Sequence, residues 1–343
     1  MSSDPESTAV QTPAPATLPG RRGRRAADVP ALVEGARSGD ARSVARLISL
    51  VENDDPALPQ IAAALAPHTG RAQVIGLTGS PGVGKSTTTT ALVRALREAG
   101  KRVGVLAVDP SSPFSGGALL GDRVRMQDHA GDSGVYIRSM ASRGHLGGLA
   151  WATPQALRVL DAAGCDVVLI ETVGVGQSEL EIASLADTTL VLIAPGMGDG
   201  IQAAKAGILE VADVFVVNKA DRDGADQTVR DLRYMQSLGG RHSEAGQWRP
   251  PICRTVASRE TDNGIDGVLA KIEEHRSWLE SSGEGERRRT ERAAREIEAI
   301  AVAALRARMG DVHGSAALSS LAAGVVAGDT DPYRAADQLL DRL

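Results

Sequence analysis

Cysteine and aromatic residues are scarce in this chain, and their scarcity excludes several classes of protein. Only Cys165 and Cys253 occur, and aromatic residues make up 2% of the 343 residues. Two widely separated cysteines without a Cys-x-x-Cys pair provide neither a disulfide framework nor a cysteine metal site. We therefore expect both thiols to be buried as small apolar groups. With so few aromatic rings, the core must be packed mainly with aliphatic side chains.

Long hydrophobic runs and an excess of positive charge are also missing. No apolar run approaches the roughly 20 residues that span a bilayer, and the first residues do not have the charged-then-apolar order of a secretory signal. The formal net charge of -5 gives no electrostatic reason to bind nucleic acid or an anionic membrane. We expect a cytoplasmic protein that has neither as a partner.

The N-terminal region changes character near residue 28. Residues 1–27 are rich in Pro, Ala, Ser and Thr and end in an arginine cluster at 21–25. This composition buries too little surface to fold, so we expect a disordered tail; docking or targeting by the arginines is the alternative. A helical extension is expected over 28–70. One apolar helix face within it is indicated by residues spaced i, i+3, i+4, i+7: Val44, Leu47, Ile48 and Val51.

The middle of the chain has the pattern of a parallel sheet. Six short β-branched or aliphatic runs have the length of strands: 74–77, 103–108, 135–137, 167–170, 190–193 and 214–217. Most are separated by stretches long enough for a helix, which is the order of a mostly parallel sheet covered on both faces. The sequence thus predicts a doubly wound α/β domain over 71–281, completed by a short strand near 252–256 and a helix over 264–279.

A helical arm is expected over residues 282–343. Residues 281–285 have the composition of a linker. A narrow apolar stripe on a helix follows: Ala293, Ile297, Ile300, Ala304 and Leu305. Two short helices, near 316–326 and 331–343, complete the arm. We expect this apolar stripe to be covered by another surface. Either the chain's own core or a second subunit could provide that surface.

The strongest motif is the segment GSPGVGKS at 79–86. It matches G-x-x-x-x-G-K-[ST] and lies between a predicted strand and a helical run, as this motif requires. Its glycines let backbone N–H groups surround a phosphate at a helix N-terminus. Lys85 adds charge for the β- and γ-phosphates, and Ser86 offers a hydroxyl to Mg²⁺. The predicted phosphate-binding residues are Gly79, Ser80, Gly82, Val83, Gly84, Lys85, Ser86 and Thr87. Residues 87–90 otherwise read as helix surface and core.

A second motif, NKAD at 218–221, follows the last long apolar run. The Asp221 carboxylate can accept hydrogen bonds from guanine N1–H and the 2-amino group, a donor pair that adenine lacks. Asn218 is expected to reach guanine N7, and the Lys219 stem to lie along the ring. The stretch at 255–258 is expected to offer a backbone N–H to guanine O6, and Ala257 and Ser258 are the predicted guanine-binding residues within it. An ordinary polar turn is the alternative interpretation of NKAD. Because NKAD follows a phosphate-binding motif, however, the two motifs together predict binding of GTP rather than ATP.

A third segment follows the apolar run at 167–170. Glu171 is expected to hold a Mg²⁺-bound water or to orient the attacking water. The backbone N–H of Gly174 is expected to contact the γ-phosphate. In Ras-like GTPases a glutamine directly follows the equivalent glycine, whereas this chain has Val175. We therefore expect slow intrinsic hydrolysis. Gln177 is a candidate substitute, with a helix-start residue as the alternative.

A further carboxylate, Asp109, follows the second apolar run and is the candidate for a second acid beside Mg²⁺; turn capping is the alternative. The predicted metal-binding residues are Ser86, Asp109 and Glu171. The predicted catalytic residues are Lys85, Asp109, Glu171 and Gly174. The segment at 139–148 is predicted to be a Gly-rich loop. Its Arg143 and His145 are expected to contact a phosphate or a partner; a loop without such a contact is the alternative.

The combination of GSPGVGKST, VDPSSP, SMASRGHLGGLA, ETVGVGQSE and NKAD resembles the MeaB/ArgK/MMAA family of P-loop GTPases. The resemblance covers the chain apart from its tail. It implies a GTPase chaperone of adenosylcobalamin-dependent methylmalonyl-CoA mutase, acting in cofactor loading, protection and reactivation. It also implies a homodimer built through the C-terminal arm. Within the segment at 195–205, which matches a partner-responsive switch of the family, Asp199 and Lys205 are candidates for a catalytic or coupling role.

Mg²⁺ with GTP or GDP is the expected ligand, with no tightly bound cofactor of the protein's own. Two other functions are alternatives. A metallochaperone-type P-loop GTPase generally carries Cys or His clusters, and the six histidines here are scattered without metal-ligand spacing. A P-loop kinase acting on a transport protein needs an acceptor-binding base, and the sequence offers no evident one.

Overall fold

The computed structural model describes residues 27–110, 131–142, 152–172, 178–196, 210–238, 246–309 and 316–341. Its strands form one parallel sheet in the order β3-β2-β4-β1-β5-β6-β7. The strands are β1 (Gln73–Thr78), β2 (Val103–Pro110), β3 (Val135–Ser142), β4 (Val167–Thr172), β5 (Thr188–Ile193), β6 (Val214–Val217) and β7 (Ile252–Arg254).

Helices cover both faces of this sheet. The N-terminal helices are α1 (Val29–Arg37), α2 (Ala41–Glu52) and α3 (Leu58–Leu65). Those that follow strands are α4 (Lys85–Glu98), α5 (Thr153–Ala162), α6 (Ser178–Leu185), α7 (Ala225–Leu238) and α8 (Ile265–Ser282). The C-terminal helices are α9 (Glu284–Met309), α10 (Ala316–Ala327) and α11 (Pro332–Leu340).

Side-chain alternation along the strands explains the two cores. Leu169 of β4 packs in a cluster with α4 and α8, whereas its neighbour Val168 packs on the opposite face with α5 and the N-terminal helices. Successive strand residues point to opposite faces, so a strand buried on both faces has a nearly continuous apolar sequence. Every residue of β5 and β6 is buried accordingly. The doubly wound α/β fold expected from the sequence is therefore confirmed.

The N-terminal helices have the predicted apolar face. Val44, Leu47, Ile48 and Val51 on α2 are each no more than 2% exposed. They join one cluster with α1, α3 and α5, so these helices extend the core on one face of the sheet. The Asp40 carboxylate begins α2 by accepting from the Ser43 hydroxyl and from the backbone N–H groups of Ser43 and Arg42, and these contacts lower its pKa.

Two local expectations were wrong. Residues 139–142, expected to begin a loop, continue β3 to Ser142, because they pair in register with β2 and Met140 is fully buried. The linker expected over 281–285 is a single break: α8 runs to Ser282, Gly283 adopts a φ of 75°, and α9 begins at the next residue. The hydroxyls of Ser281 and Ser282 donate to the Trp278 carbonyl, so these serines complete the helix instead of loosening it.

Arginines fasten α9 to the amino edge of the sheet, where the strands begin. Arg292 bonds the Leu185 carbonyl and, at 2.6 Å, the carboxylate of Asp187 directly before β5. Both guanidinium ends of Arg158 on α5 bond Glu296, at 2.5 and 2.6 Å. Paired carboxylate contacts of this kind give geometric specificity as well as energy.

The α8–α9 junction covers a buried histidine. His275 is 0% exposed; its Nδ1 lies 2.9 Å from Thr188 Oγ1, and Nε2 lies 3.3 Å from Asp213 Oδ1. Arg288 Nη1 contacts the same carboxylate oxygen at 3.1 Å. Burial, with a further contribution from Arg288, lowers the pKa of His275 to about 3, and burial raises the pKa of Asp213 to about 6. The imidazole is therefore neutral at physiological pH.

The apolar stripe on α9 is largely uncovered by the described residues. Ile297 is 68% exposed, Ile300 45% and Leu305 58%. Among the described residues, no helix has both the length and the hydropathy needed to cross a membrane. Burial raises the pKa of the Cys165 thiol to about 12 and also raises that of Cys253, although Cys253 is only partly buried rather than fully as expected.

Candidate nucleotide-binding site

The carboxyl edge of the sheet gathers the predicted site. The segment at 79–86 follows β1, Glu171 lies near the end of β4, and Asn218 directly follows β6. Parallel strands end at one edge, and ligands of open α/β sheets bind there. Asp109 lies near the end of β2, next to β4, although its side chain is outside the described part of the chain.

The loop between β1 and α4 has the conformation that its glycines permit. Gly79, Gly82 and Gly84 have φ values of 141°, 81° and 97°. A Cβ on Gly79 would lie 2.3 Å from the Leu192 carbonyl oxygen, and one on Gly84 would lie 2.4 Å from Asn218 Nδ2. Backbone conformation and close packing thus both require glycine at these two positions.

Lys85 lies against the loop that precedes it. Its Nζ donates to the carbonyl oxygens of Gly79 at 2.6 Å and Ser80 at 3.3 Å, and the residue is 7% exposed. The ammonium group is therefore held at the start of α4, where the helix dipole favours anions. Charge and backbone N–H groups together make this helix start suited to a phosphate.

Glu171 connects the phosphate loop with the sheet. Its Oε1 accepts a hydrogen bond from Ser86 Oγ at 2.6 Å, and its Oε2 accepts one from Thr89 Oγ1 at 2.9 Å. Glu171 is only 3% exposed, so these donors stabilise a carboxylate that burial would otherwise disfavour. The sequence predicted Ser86 and Glu171 as site residues but not Thr89. Its spacing of i+3 from Ser86, which places both hydroxyls on one face of α4, was the available signal.

Ser86 and Glu171 fit a magnesium ion. Both present oxygen atoms, which are the donors that Mg²⁺ prefers, and Mg²⁺ in nucleotide sites is usually held by one or two side chains together with phosphate oxygens. Since Ser86 gives its proton to Glu171, the lone pairs of its oxygen are left for a cation. A transition metal would favour nitrogen or sulfur donors, which these two residues lack.

Asn218 links the base-recognition segment to the phosphate loop. Its Nδ2 donates to the Val83 carbonyl at 2.9 Å, and its Oδ1 accepts from Thr255 Oγ1 and the N–H of Ala257, both at 3.1 Å. The carbonyl oxygen thus has two donors, and one N–H of the amide remains for the predicted contact with guanine N7. Ala257 gives its N–H to Asn218 in this structure, and the predicted contacts of Ala257 and Ser258 with guanine stay predictions.

Lys219 and Asp221 occupy different positions in this segment. Lys219 has a φ of 56°, and its Nζ donates to the Gly82 carbonyl at 2.6 Å, so its stem crosses toward the phosphate loop. The Asp221 side chain is 45% exposed and therefore accessible to a base. Arg259 Nη2 lies 3.9 Å from its carboxylate. Nothing in the sequence pattern indicated Arg259.

Thr87, at the second position after Lys85, is exposed on α4, whereas Ser80 is partly buried and Val83 fully buried. Several other predicted residues lie outside the described part of the chain: Arg143, His145, Gly174, Gln177, Asp199 and Lys205. Their predicted roles remain predictions.

A phosphate loop that begins α4, together with NKAD placed against it by Asn218 and Lys219, defines a P-loop GTPase. The family model described as "Methylmalonyl Co-A mutase-associated GTPase MeaB" matches residues 44–312. The chain belongs to this MeaB family of GTPases and accordingly hydrolyses GTP to GDP and phosphate.

Known proteins agree with this assignment. A relative from Pyrococcus abyssi (strain GE5 / Orsay), named as a GTPase, is 46% identical over 312 residues, which cover 91% of this chain and 96% of that protein. GTPase ArgK of Escherichia coli (strain K12) is 39% identical over 254 residues, or 72% of this chain and 76% of that protein. The solved structure of a protein named LAO/AO transport system kinase has a TM-score of 0.69 and 26% identity, covering 91% of this chain and 96% of its own.

Proposed function

We propose that this GTPase is a chaperone of adenosylcobalamin-dependent methylmalonyl-CoA mutase, acting in loading, protection and reactivation of the mutase cofactor. The observation that carries the proposal is the match of residues 44–312 to a family described as associated with that mutase. The nucleotide site supports it, because a GTPase can couple hydrolysis to the states of a client without any covalent chemistry on the client. The protein would act in the cytoplasm.

In this proposal the phosphate loop binds and orients GTP. Backbone N–H groups of residues 79–87 surround the β-phosphate, and Lys85 moves from its loop carbonyls to the β- and γ-phosphates. Ser86, Glu171 and Asp109 would hold Mg²⁺, directly or through water, and the ion would supply positive charge to offset the charge that develops on the phosphates. Glu171 also orients the attacking water, and the Gly174 N–H responds to loss of the γ-phosphate.

Guanine binds against residues 218–221 and 257–258. Asp221 accepts from the base N1–H and 2-amino group, Asn218 donates to N7, and Lys219 covers the ring. An adenine would leave the Asp221 carboxylate facing an amidine edge without its two donors, and sites of this kind can reject the wrong partner by roughly 10⁴-fold.

Hydrolysis by the isolated protein is expected to be slow. Val175 stands where Ras-like GTPases have their water-orienting glutamine. The mutase would then increase the rate by acting on the segments that carry Gln177, Asp199 and Lys205. Two copies of the chain would associate through α9, whose exposed stripe of Ile297, Ile300 and Leu305 supports a homodimer.

The decisive experiment is GTP turnover by the purified protein, alone and with methylmalonyl-CoA mutase from the same organism. We expect a slow basal rate that rises several-fold with the mutase, and co-elution of the two proteins on gel filtration. The variant Lys85→Ala is the control: because it removes the phosphate-binding charge, its rate should stay roughly 10²–10³-fold below wild type with or without mutase.

An unchanged rate without co-elution would overturn the mutase assignment while leaving the GTPase intact. Mass analysis of the products also tests the alternative of a kinase acting on a transport protein. Release of the γ-phosphate to water supports the chaperone, whereas its appearance on a protein or small molecule would support the kinase.

A further inference from the structure

Three successive threonines on α4 make the same contact with the helix backbone. The hydroxyl oxygens of Thr88, Thr89 and Thr90 lie within hydrogen-bond distance of the carbonyl oxygens four residues earlier, at 3.0, 3.1 and 3.0 Å. Thr88 and Thr89 are both 0% exposed. Threonine has a low helix propensity, so propensity does not explain three successive threonines in the helix that follows the phosphate loop.

Thr89 differs from its neighbours because it also reaches the sheet. Its Oγ1 lies 2.9 Å from Glu171 Oε2 and 3.1 Å from the Lys85 carbonyl oxygen. A hydroxyl has one proton, so it can donate fully to only one of these acceptors. Hydrogen bonds to an ionised acceptor are roughly twice as strong as neutral ones, so the proton belongs to Glu171.

The two oxygens of Glu171 are therefore held by two hydroxyls from one face of α4. Leu169, two residues earlier on β4, packs in the cluster of α4, so Glu171 faces the same helix. A cation at Ser86 would draw on the oxygen of that hydroxyl, whereas Thr89 lies one turn further along α4 and can keep its contact unchanged. Thr89 thus fixes one oxygen of the carboxylate and leaves the other to face Ser86.

We propose that Thr89 is a positioning residue for magnesium: it holds the Glu171 carboxylate in the orientation that supports the ion at Ser86. This proposal rests on the magnesium site of the proposed function. Residues that orient metal-site carboxylates typically change metal affinity by 10–100-fold when they are replaced. The effect should therefore appear in the magnesium dependence of nucleotide binding, independently of turnover.

The test is the variant Thr89→Val, which keeps shape and removes the hydroxyl. The affinity for a fluorescent GDP analogue is measured against Mg²⁺ concentration and in excess EDTA. We expect the Mg²⁺ concentration at half-effect to rise about tenfold or more. Affinity in EDTA should not change, because Thr89 does not face the phosphates. Thr89→Ser, which restores the hydroxyl, should return the midpoint toward the wild-type value.

Thr88→Val is the matched control, since Thr88 has the same burial and the same kind of backbone contact but no hydrogen bond to Glu171. Its Mg²⁺ midpoint should equal that of the wild type. An equal shift in both valine variants, or no shift in Thr89→Val, would overturn the proposal. Thermal unfolding of each variant in EDTA verifies that the fold is retained.

A double-mutant comparison separates positioning from a general structural effect. If Thr89 acts through the carboxylate, Thr89→Val should add no further shift in a Glu171→Gln background. An additive shift would contradict the proposal. A wild-type protein whose nucleotide affinity does not depend on Mg²⁺ at all would instead refute the magnesium site itself, so the two failures can be told apart.

Discussion

Asp221 is an exposed acid whose proposed task is to recognise two donors of one base. Replacing it by Asn exchanges one acceptor for a donor, so it should weaken GTP binding and favour xanthosine nucleotides, whose base carries a carbonyl in place of the 2-amino group. We expect the preference of GTP over XTP to invert. Competition between the two nucleotides for a fluorescent GDP analogue measures this. An unchanged preference for GTP would refute the role of Asp221.

Some residues of the site could be recognised from the sequence and others could not. Lys85, Ser86 and Asn218 belong to contiguous motifs whose spacing follows from the shape of a nucleotide. Thr89 and Arg259 depend instead on what the fold brings near them: Thr89 meets a carboxylate 82 residues away. A contact over such a separation leaves no local pattern in a single sequence, and the row of threonines reads equally well as helix surface and core.

The loop before α4 offers a comparison of two glycines. Both have positive φ, but a Cβ on Gly84 would lie 2.4 Å from Asn218 Nδ2, whereas one on Gly82 would meet nothing within 4 Å. Gly82→Ala should therefore lose only the roughly 1–2 kcal/mol of a left-handed alanine. Gly84→Ala should lose that and also displace Asn218, so both stability and GDP affinity should fall further. Denaturant unfolding and GDP titration of both variants check this, and equal losses would contradict the steric account.

The α8–α9 junction should show a pH effect through His275. Its pKa is lowered to about 3 in the folded chain, so between that value and the ordinary pKa of about 6.5 only the unfolded chain binds the proton. The stability that neutral His275 contributes is present above about pH 6.5 and is lost as the pH falls. Asp213, whose raised pKa is about 6, acts in the opposite sense, because its contribution is lost as the pH rises.

His275→Gln removes the histidine contribution while keeping a polar partner for Thr188. The variant should be less stable than wild type near pH 8, and this deficit should shrink by up to about 1.4 kcal/mol per pH unit below about pH 6.5. Urea unfolding of both proteins from pH 8 to pH 5 measures the difference. A deficit that stays constant over this range would contradict a neutral, buried His275.

The strands were predictable, but their arrangement was not. All six apolar runs lie within β1–β6, and the short strand near 252–256 is β7. A short continuous apolar run indicates a strand buried on both faces, and such a run can be recognised in the sequence alone. That β4 lies between β2 and β1 depends on helix crossovers whose direction the runs do not encode. The prediction of a linker at 281–285 was wrong because serine and glycine are common at helix ends as well as in flexible linkers.

At the scale of the whole molecule, the nucleotide edge and the attachment of α9 lie at opposite ends of the sheet. Asp187 and Asp213, which receive arginines from α9, directly precede β5 and β6, whereas Asn218 follows β6. Four to six strand residues at about 3.3 Å each place these ends roughly 13–20 Å apart. A partner bound at α9 would therefore lie away from the nucleotide, with β5, β6 and the α8–α4 packing between the two sites.

Association of two copies through α9 can be tested with a single charge. Ile297→Asp places a carboxylate in the exposed stripe and should shift the protein from dimer to monomer in sedimentation equilibrium, with basal GTP turnover retained. Tyr234→Asp is the matched control, because Tyr234 is 65% exposed on α7, outside the stripe. A wild-type monomer, or a dimer unaffected by Ile297→Asp, would refute the proposed interface.

The contacts of Asn218 with Val83, Thr255 and Ala257 set limits on how such a chain can evolve. Asn218 holds the phosphate loop and is also proposed to read the base, so a change there would disturb every nucleotide alike. The Asp221 side chain is 45% exposed and its ion pair with Arg259 spans 3.9 Å, so it contributes less to the structure of the site. Evolution toward a different purine nucleotide would therefore tolerate substitutions at Asp221 more readily than at Asn218. Selection experiments for altered nucleotide use should recover substitutions at Asp221 first.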